Sequence, residues 1–330
     1  MIDLKEYGYS GPAMEAGLIP ARVTQVLRGR YGVVCARGET WAKLKGSFAH
    51  DAKEQADLPA VGDFVLIEWN ERGDAVIARL LPRRTKFSRT DFTGHAMGYV
   101  KTILEQVVAA NFDYVLILTS LNRDFNVNRV LRYLIQARES GATPVVVLTK
   151  TDLCDDPTPN LRAMREAAGD ATVCAVSAKT GDGLADLAAF LTPGKTAVFL
   201  GMSGVGKSSL LNALAGDTLM NVSAIREDDA RGRHTTTHRQ LFRLPSGGLV
   251  IDTPGMRELG LWDAEEGIAE AYADVEELIA RCRYSDCRHE TEPGCAVKAA
   301  RLDGTLAPSR WEEYLAWKRE AAFVRRKSKR

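Results

Sequence analysis

Residues 196–208, TAVFLGMSGVGKS, constrain this chain more than any other segment. An apolar run of strand length leads into Gly201-Met202-Ser203-Gly204-Val205-Gly206-Lys207-Ser208, and SLLNALAG beyond it has a helical pattern. The glycines let successive backbone N–H groups curl around a phosphate. Lys207 is then placed to reach the β- and γ-phosphates of a nucleotide, and the Ser208 hydroxyl to ligate Mg²⁺. The phosphate-binding set is Gly201 to Ser209.

The surrounding pattern is that of an α/β domain. DYVLILTS, PVVVLTKTD, TVCAVSAKTGDG, TAVFL and GLVIDTPG read as strands and alternate with helical segments, which predicts a mostly parallel sheet over 107–262. NVNRVLRYLIQARESG puts Val127, Val130, Leu131, Leu134 and Ile135 on one helical face, closed by Gly141. Ligands of such sheets bind at the strand ends, and the motifs at Thr149–Asp152, Ser177–Lys179 and Asp252–Gly255 fall there. Asp252, before Thr-Pro-Gly255, is expected to hold the Mg²⁺ shell directly or through water, with the Gly255 N–H meeting the γ-phosphate. Within RGRHTTTH, a hydroxyl of Thr236 or Thr237 would complete the Mg²⁺ shell. Thr149-Lys150-Thr151-Asp152 would choose the base: Asp152 accepts from guanine N1–H and N2–H₂, which adenine does not supply, and Lys150 packs its stem over the ring. Ser177-Ala178-Lys179 would offer a backbone N–H to guanine O6. The base motifs precede the phosphate motifs, the reverse of ordinary small GTPases, so the sheet is expected to be circularly permuted.

Two further units flank this core. Five short strand-like runs between 21 and 82 suggest a small β-barrel of the OB type. It is preceded by an N-terminal extension, 1–20, and followed by a connector, 83–106. PRRTKFSRT, with three arginines and a lysine in nine residues, reads equally as a solvated linker. Residues 263–330 are expected to be helical, with a metal-binding insert and a basic tail. Cys282-x4-Cys287-x-His289-x5-Cys295 supplies three thiolates and an imidazole within fourteen residues, a structural zinc set with no open position for catalysis. The neighbouring Arg281, Arg283, Arg288 and Lys298 suit phosphate contact. RRKSKR at the C-terminus suits nonspecific nucleic-acid binding. Trp311, Tyr314 and Trp317 are spaced for helix packing rather than base stacking.

Composition sets the remaining bounds. With 330 residues, two or three domains are expected. Charged residues make up 26% and the formal net charge is +1, so global charge carries no message about nucleic acid. No run approaches the roughly 20 apolar residues of a membrane helix, and the N-terminus has no apolar targeting core. Six cysteines do not make a disulfide scaffold, and Cys35, Cys154 and Cys174 read as packing residues. A cytoplasmic monomer without membrane association is expected.

PRRTKFSR, EQVVAANFDYVLIL, GRHTTT and CRYSDCRHETEPGC resemble the ribosome small-subunit-dependent GTPase A family of bacteria, and the similarity runs from about residue 20 to 320. The resemblance implies a multidomain chain: OB-type barrel, permuted P-loop GTPase and zinc-binding helical domain. It also implies GTP hydrolysis, late maturation of the small ribosomal subunit, binding of its rRNA, and stimulation by that subunit. Thr149 departs from the usual Asn of the base motif and is expected to lose both the amide's contact to the base and its brace to the P-loop, weakening guanine binding. Met256 stands where many GTPases carry a Gln that orients the attacking water; His234 or a group on the partner would have to do so. Two rivals remain: a GTPase acting on a protein or membrane target, and an RNA-binding assembly factor that uses nucleotide only as a conformational ligand.

Overall fold

The computed structural model describes residues 1–12, 17–27, 29–91, 104–121, 125–202, 204–216, 239–252, 268–269 and 271–328. Five strands close the barrel: β1 (Ile19–Leu27), β2 (Arg30–Cys35), β3 (Gly38–Leu44), β4 (Phe64–Glu68) and β5 (Ala75–Leu80). β1 pairs with both β2 and β4, β2 with β3, and β4 with β5, while β3 pairs parallel with β5. That order, β1-β2-β3-β5-β4 returning to β1, is an OB-type barrel. A short helix, α1 (Gly46–Asp51), lies between β3 and β4. Alternate side chains such as Val23, Val33, Ala42, Val65 and Ile77 fill the barrel interior.

The core sheet follows the alternation seen in the sequence. Its strands are β8 (Tyr114–Ser120), β9 (Thr143–Thr149), β10 (Thr172–Ala175), β11 (Thr196–Leu200), β12 (Gln240–Arg243) and β13 (Leu249–Asp252). The spatial order is β10-β9-β8-β11-β13-β12, parallel except for β12. The helices are α2 (Val127–Glu139), α3 (Thr158–Ala168), α4 (Leu184–Ala188) and α5 (Lys207–Ala215). β8, β9 and β11 read as unbroken apolar runs because both faces are covered, one by α2 and α3, the other by α4 and α5. Asn126 caps α2 by accepting from the Arg129 N–H at 3.0 Å.

The segment expected as connector, 83–106, is partly sheet. β6 (Lys86–Asp91) pairs antiparallel with β7 (Leu104–Ala110), and β7 runs across residue 106, where the connector was expected to end. Arg83 is no solvated linker residue. Its guanidinium grips the fully buried Asp63 carboxylate at 2.7–3.1 Å and donates to the carbonyls of Ala56 and Leu58.

The N-terminal residues are also part of the fold. Leu4 and Tyr7, on a 3-10 turn, are buried in the core under the parallel sheet. Arg22 of β1 is fully buried between barrel and core. It donates to the carbonyls of Tyr7, Gly62 (3.2 Å) and Asn111 (2.7 Å) and to Thr196 Oγ1 (2.9 Å), at the start of β11. β1 also pairs with β12 at Gln25–Gln240, so barrel and core share one eleven-stranded sheet.

The C-terminal unit holds α6 (Ala273–Ala280), α7 (Ala296–Leu302) and α8 (Pro308–Ser328). Its core of Tyr272, Val275, Val297, Leu306, Trp311, Tyr314 and Trp317 includes Ile135 of α2. The aromatic stripe on α8 therefore packs inward, and Arg132 of α2 stacks on Trp317 at 4.7 Å. Among the described residues no helix is long and apolar enough to cross a membrane.

Candidate functional site

The phosphate motif lies between β11 and α5, as strand and helix propensities on either side of the glycines require. Gly201, Gly204 and Gly206 all take positive φ, at 155°, 79° and 101°. At Gly201 a Cβ would stand 2.6 Å from the Leu118 carbonyl oxygen, so only glycine allows the loop to leave the strand against β8. Lys207 Nζ folds back over the loop and donates to the carbonyls of Gly201 and Met202 at 2.6 and 2.7 Å. Ser208 and Ser209 are half-buried on the first turn of α5. Asp252 ends β13, the neighbour of β11, one residue past the Val198–Ile251 pair, and is buried. The chain thus brings the Asp252 carboxylate to the same sheet end as the loop.

The base motifs reach the same place by different strands. Thr149 ends β9 and Lys150 turns out in the left-handed conformation at φ 59°. Lys150 Nζ donates to the Gly204 carbonyl at 2.7 Å. Thr149 is 4% exposed, and its hydroxyl donates to the Val205 carbonyl at 2.6 Å. The expected loss of the brace is therefore overturned: the threonine hydroxyl makes the contact to the P-loop, because Val205 O approaches close enough for a short side chain. Ser177, fully buried, donates to Asp152 Oδ1 at 2.7 Å. The Ser177 Oγ accepts in turn from the N–H groups of Lys179 and Thr180. Asp152 is thereby held with its second oxygen available, and Ala178 and Lys179 form the turn beside it. Ser203, His234, Thr236, Thr237, Gly255 and Met256 lie outside the described residues.

Cys282, Cys287, His289 and Cys295 come together with their ligand atoms within 4.8 Å of one another. A tetrahedral shell with about 2.3 Å to sulfur and about 2.0 Å to nitrogen has edges of roughly 3.8 Å between sulfurs and roughly 3.5 Å between sulfur and nitrogen. The observed Cys282–Cys295 separation is 3.9 Å, and both sulfurs stand 3.5 Å from His289 Nδ1. The donor set and its spacing fit a metal ion. Burial holds the His289 imidazole below its ordinary pKa, which favours the neutral, ligating form, and Glu292 opposes this weakly. Glu292 accepts from the backbone N–H groups of Arg288, Glu290 and Thr291, Arg288 foremost, and its carboxyl is drawn down to about 2. Sequence reasoning missed this residue, whose only signal is an acid inside the ligand loop. It also missed Arg22, Asp63 and Arg83, which join the units.

Strand-end phosphate and base motifs on one permuted parallel sheet define a circularly permuted P-loop GTPase. The RsgA GTPase family model matches residues 80–262. A Small ribosomal subunit biogenesis GTPase RsgA 2 of Listeria monocytogenes is 44% identical over 98% of this chain and 91% of its own length. The Small ribosomal subunit biogenesis GTPase RsgA of Opitutus terrae is 44% identical over 96% and 87%. Among solved structures, YjeQ from Thermotoga maritima matches with a TM-score of 0.68 at 29% identity, covering 92% of this chain and 98% of that one. YloQ, described as a circularly permuted GTPase, matches in fold with a TM-score of 0.65 at 24% identity, covering 95% and 98%. The chain belongs to the RsgA GTPase family.

Proposed function

We propose that this GTPase hydrolyses GTP to GDP and phosphate while assisting late maturation of the small ribosomal subunit. The observation that carries the nucleotide reading is the pair of bonds from Thr149 and Lys150 to Val205 and Gly204, which joins the base loop to the phosphate loop. The names of the relatives support the ribosomal assignment. Gly201 to Ser209 hold the phosphates, with Lys207 balancing the charge that builds on the transferred phosphoryl group. Ser208, Asp252 and one of Thr236 and Thr237 would hold Mg²⁺, which would supply positive charge against the phosphates. Lys150, Asp152 and Ser177–Lys179 hold the guanine, with Thr149 tying the base loop to the P-loop, and the Gly255 N–H senses the γ-phosphate. The attacking water is oriented by His234 or by a group of the partner, since Met256 offers neither a useful donor nor an acceptor.

Zn²⁺ is the ion we assign to Cys282, Cys287, His289 and Cys295, in a structural role. The OB-type barrel at 21–82 and the zinc unit at 263–330 flank the GTPase core at 107–262 and bind rRNA, and the protein acts as a cytoplasmic monomer. The test is phosphate release from GTP with and without purified small subunits. Slow release alone and strong stimulation by the subunit, within the range of about 10³–10⁵-fold that groups supplied in trans provide elsewhere, are expected. Rapid turnover alone, unchanged by the subunit, would refute it.

A further inference from the structure

Thr149 carries more than the brace. Its hydroxyl has one proton, and that proton faces the Val205 carbonyl at 2.6 Å. The second oxygen in reach, Thr119 O at 3.4 Å, is also an acceptor and competes for the same proton. An amide at this position would have two N–H groups and could serve a loop carbonyl and a purine ring nitrogen together. A hydroxyl serves one acceptor only. The neighbouring donors are likewise directed at protein atoms: Ser177 Oγ at Asp152 Oδ1, and Lys150 Nζ at Gly204 O.

We infer that Thr149 is a positioning residue whose single proton is committed to the P-loop, so that the base pocket does not read guanine N7 and selects guanine by its Watson–Crick edge. The inference rests on the assignment of this site to GTP. Two consequences follow. The Thr149 hydroxyl then gives no proton to the imidazole edge of the purine, so replacing N7 by carbon leaves affinity unchanged. Loss of the hydroxyl proton strands the buried Val205 carbonyl and loosens the loop that holds the phosphates. That second effect weakens any bound nucleotide, whatever its base edge.

The experiment measures equilibrium binding of GTP, 7-deaza-GTP and ATP to the zinc-loaded full chain and to Thr149→Val and Thr149→Ser. The expected result for the unsubstituted chain is less than a threefold difference between GTP and 7-deaza-GTP. Thr149→Val should lose about 2- to 12-fold for both guanine nucleotides alike, the effect of one net hydrogen bond. Thr149→Ser, which keeps the donor, should restore binding; a purely steric role for the threonine would predict the opposite ranking, with the isosteric valine the better substitute. A penalty of threefold or more for 7-deaza-GTP overturns the inference, as does a folded Thr149→Val that binds like the unsubstituted chain. Should Thr149→Val fail to fold, the comparison of the two guanine nucleotides on the unsubstituted chain decides alone. Equal binding of ATP and GTP, or no binding of either, would instead remove the GTP site on which the inference stands.

Discussion

Replacing Arg22 by methionine should uncouple the barrel from the GTPase core. The guanidinium is fully buried and meets four neutral oxygens, from the N-terminal turn, the barrel, the start of the core and the P-loop strand. Hydrogen bonds to a charged donor contribute about 1.5–3 kcal/mol each net, so four amount to roughly 6–12 kcal/mol. Against this stands the several kcal/mol needed to desolvate a buried ion. Methionine fills much of the volume and removes that cost, but strands the four acceptors. A net loss of about 3–5 kcal/mol is expected once that relief is set against four stranded acceptors at about 1–3 kcal/mol each. Burial pushes the Arg22 pKa down to about 9, with Asp113 and Asp63 opposing and Arg84 assisting. Below pH 8 the guanidinium is charged in both states. The gap between the two proteins should therefore be flat from pH 6 to 8. Urea unfolding with amide exchange on β1 and β11 reads this, and the variant should show the barrel opening before the core. A single coincident transition within 0.5 kcal/mol of the unsubstituted protein, a threshold set below the usual effect of one hydrogen bond, would refute the staple.

Three further substitutions or treatments test separate parts of the molecule. Gly62→Ala places a Cβ 2.1 Å from the Ala110 carbonyl at φ +91° and should cost about 2–5 kcal/mol from backbone strain and overpacking together; an unchanged melting midpoint would contradict the close approach of barrel and β7. Removing zinc with a chelator should change Trp311 emission, because the His289 ring stands edge-on to it at 5.3 Å, and metal loss without a spectral change would sever the link between the ligand loop and the helical core. Glu292→Gln should release zinc to a chelator several-fold faster at pH 7, since the carboxylate ties three N–H groups of the ligand loop; equal release rates would leave Glu292 no part in shaping the site.

The permuted core and the Cys/His cluster were legible because their signals are local: a glycine-rich turn after an apolar run, acids at strand ends, and thiolates at short spacing. What escaped is long-range. Arg22 sits in the run ARVTQVL, where period-two reading sends a cation to the solvent face. In the barrel, Ala21, Arg22 and Val23 are all fully buried, because the outer face of β1 lies against the core rather than water. Arg83 looked like part of a basic linker, since nothing local announces that Asp63, twenty residues earlier, is buried and needs a partner. The brace at Thr149 was misjudged for a similar reason: residue type alone says that threonine is shorter than asparagine, but not that Val205 O comes to 2.6 Å. Ile135 was placed on the same face of α2 as Leu131 and Leu134. In the fold those two meet the sheet while Ile135 enters the core of the C-terminal unit, so α2 is apolar on two sides.

That two-sided helix bears on how nucleotide state could reach the C-terminal unit. The chain passes directly from Asp252 through residues 253–267 into that unit, a covalent route. Packing supplies a second route through α2, whose Ile135 and Arg132 hold the C-terminal unit by burial and by stacking on Trp317. Burying an isoleucine is worth about 1.5–3 kcal/mol, and a cation–π contact about 0.5–2 kcal/mol. Their sum, about 2–5 kcal/mol, matches or exceeds the roughly 1–3 kcal/mol that a ligand typically contributes to coupling between sites. A nucleotide-driven displacement that undocked the C-terminal unit would have to overcome that contact. One that carried α2 along would not. At its C-terminal cap α2 is tied to the hairpin strand β6, where the Lys86 N–H donates to the Ser140 carbonyl at 3.3 Å, and Arg83 fixes the same segment to the barrel. Movement of α2 as a unit would therefore shift the C-terminal domain and strain the barrel junction together, so both flanking domains would feel the state of one nucleotide.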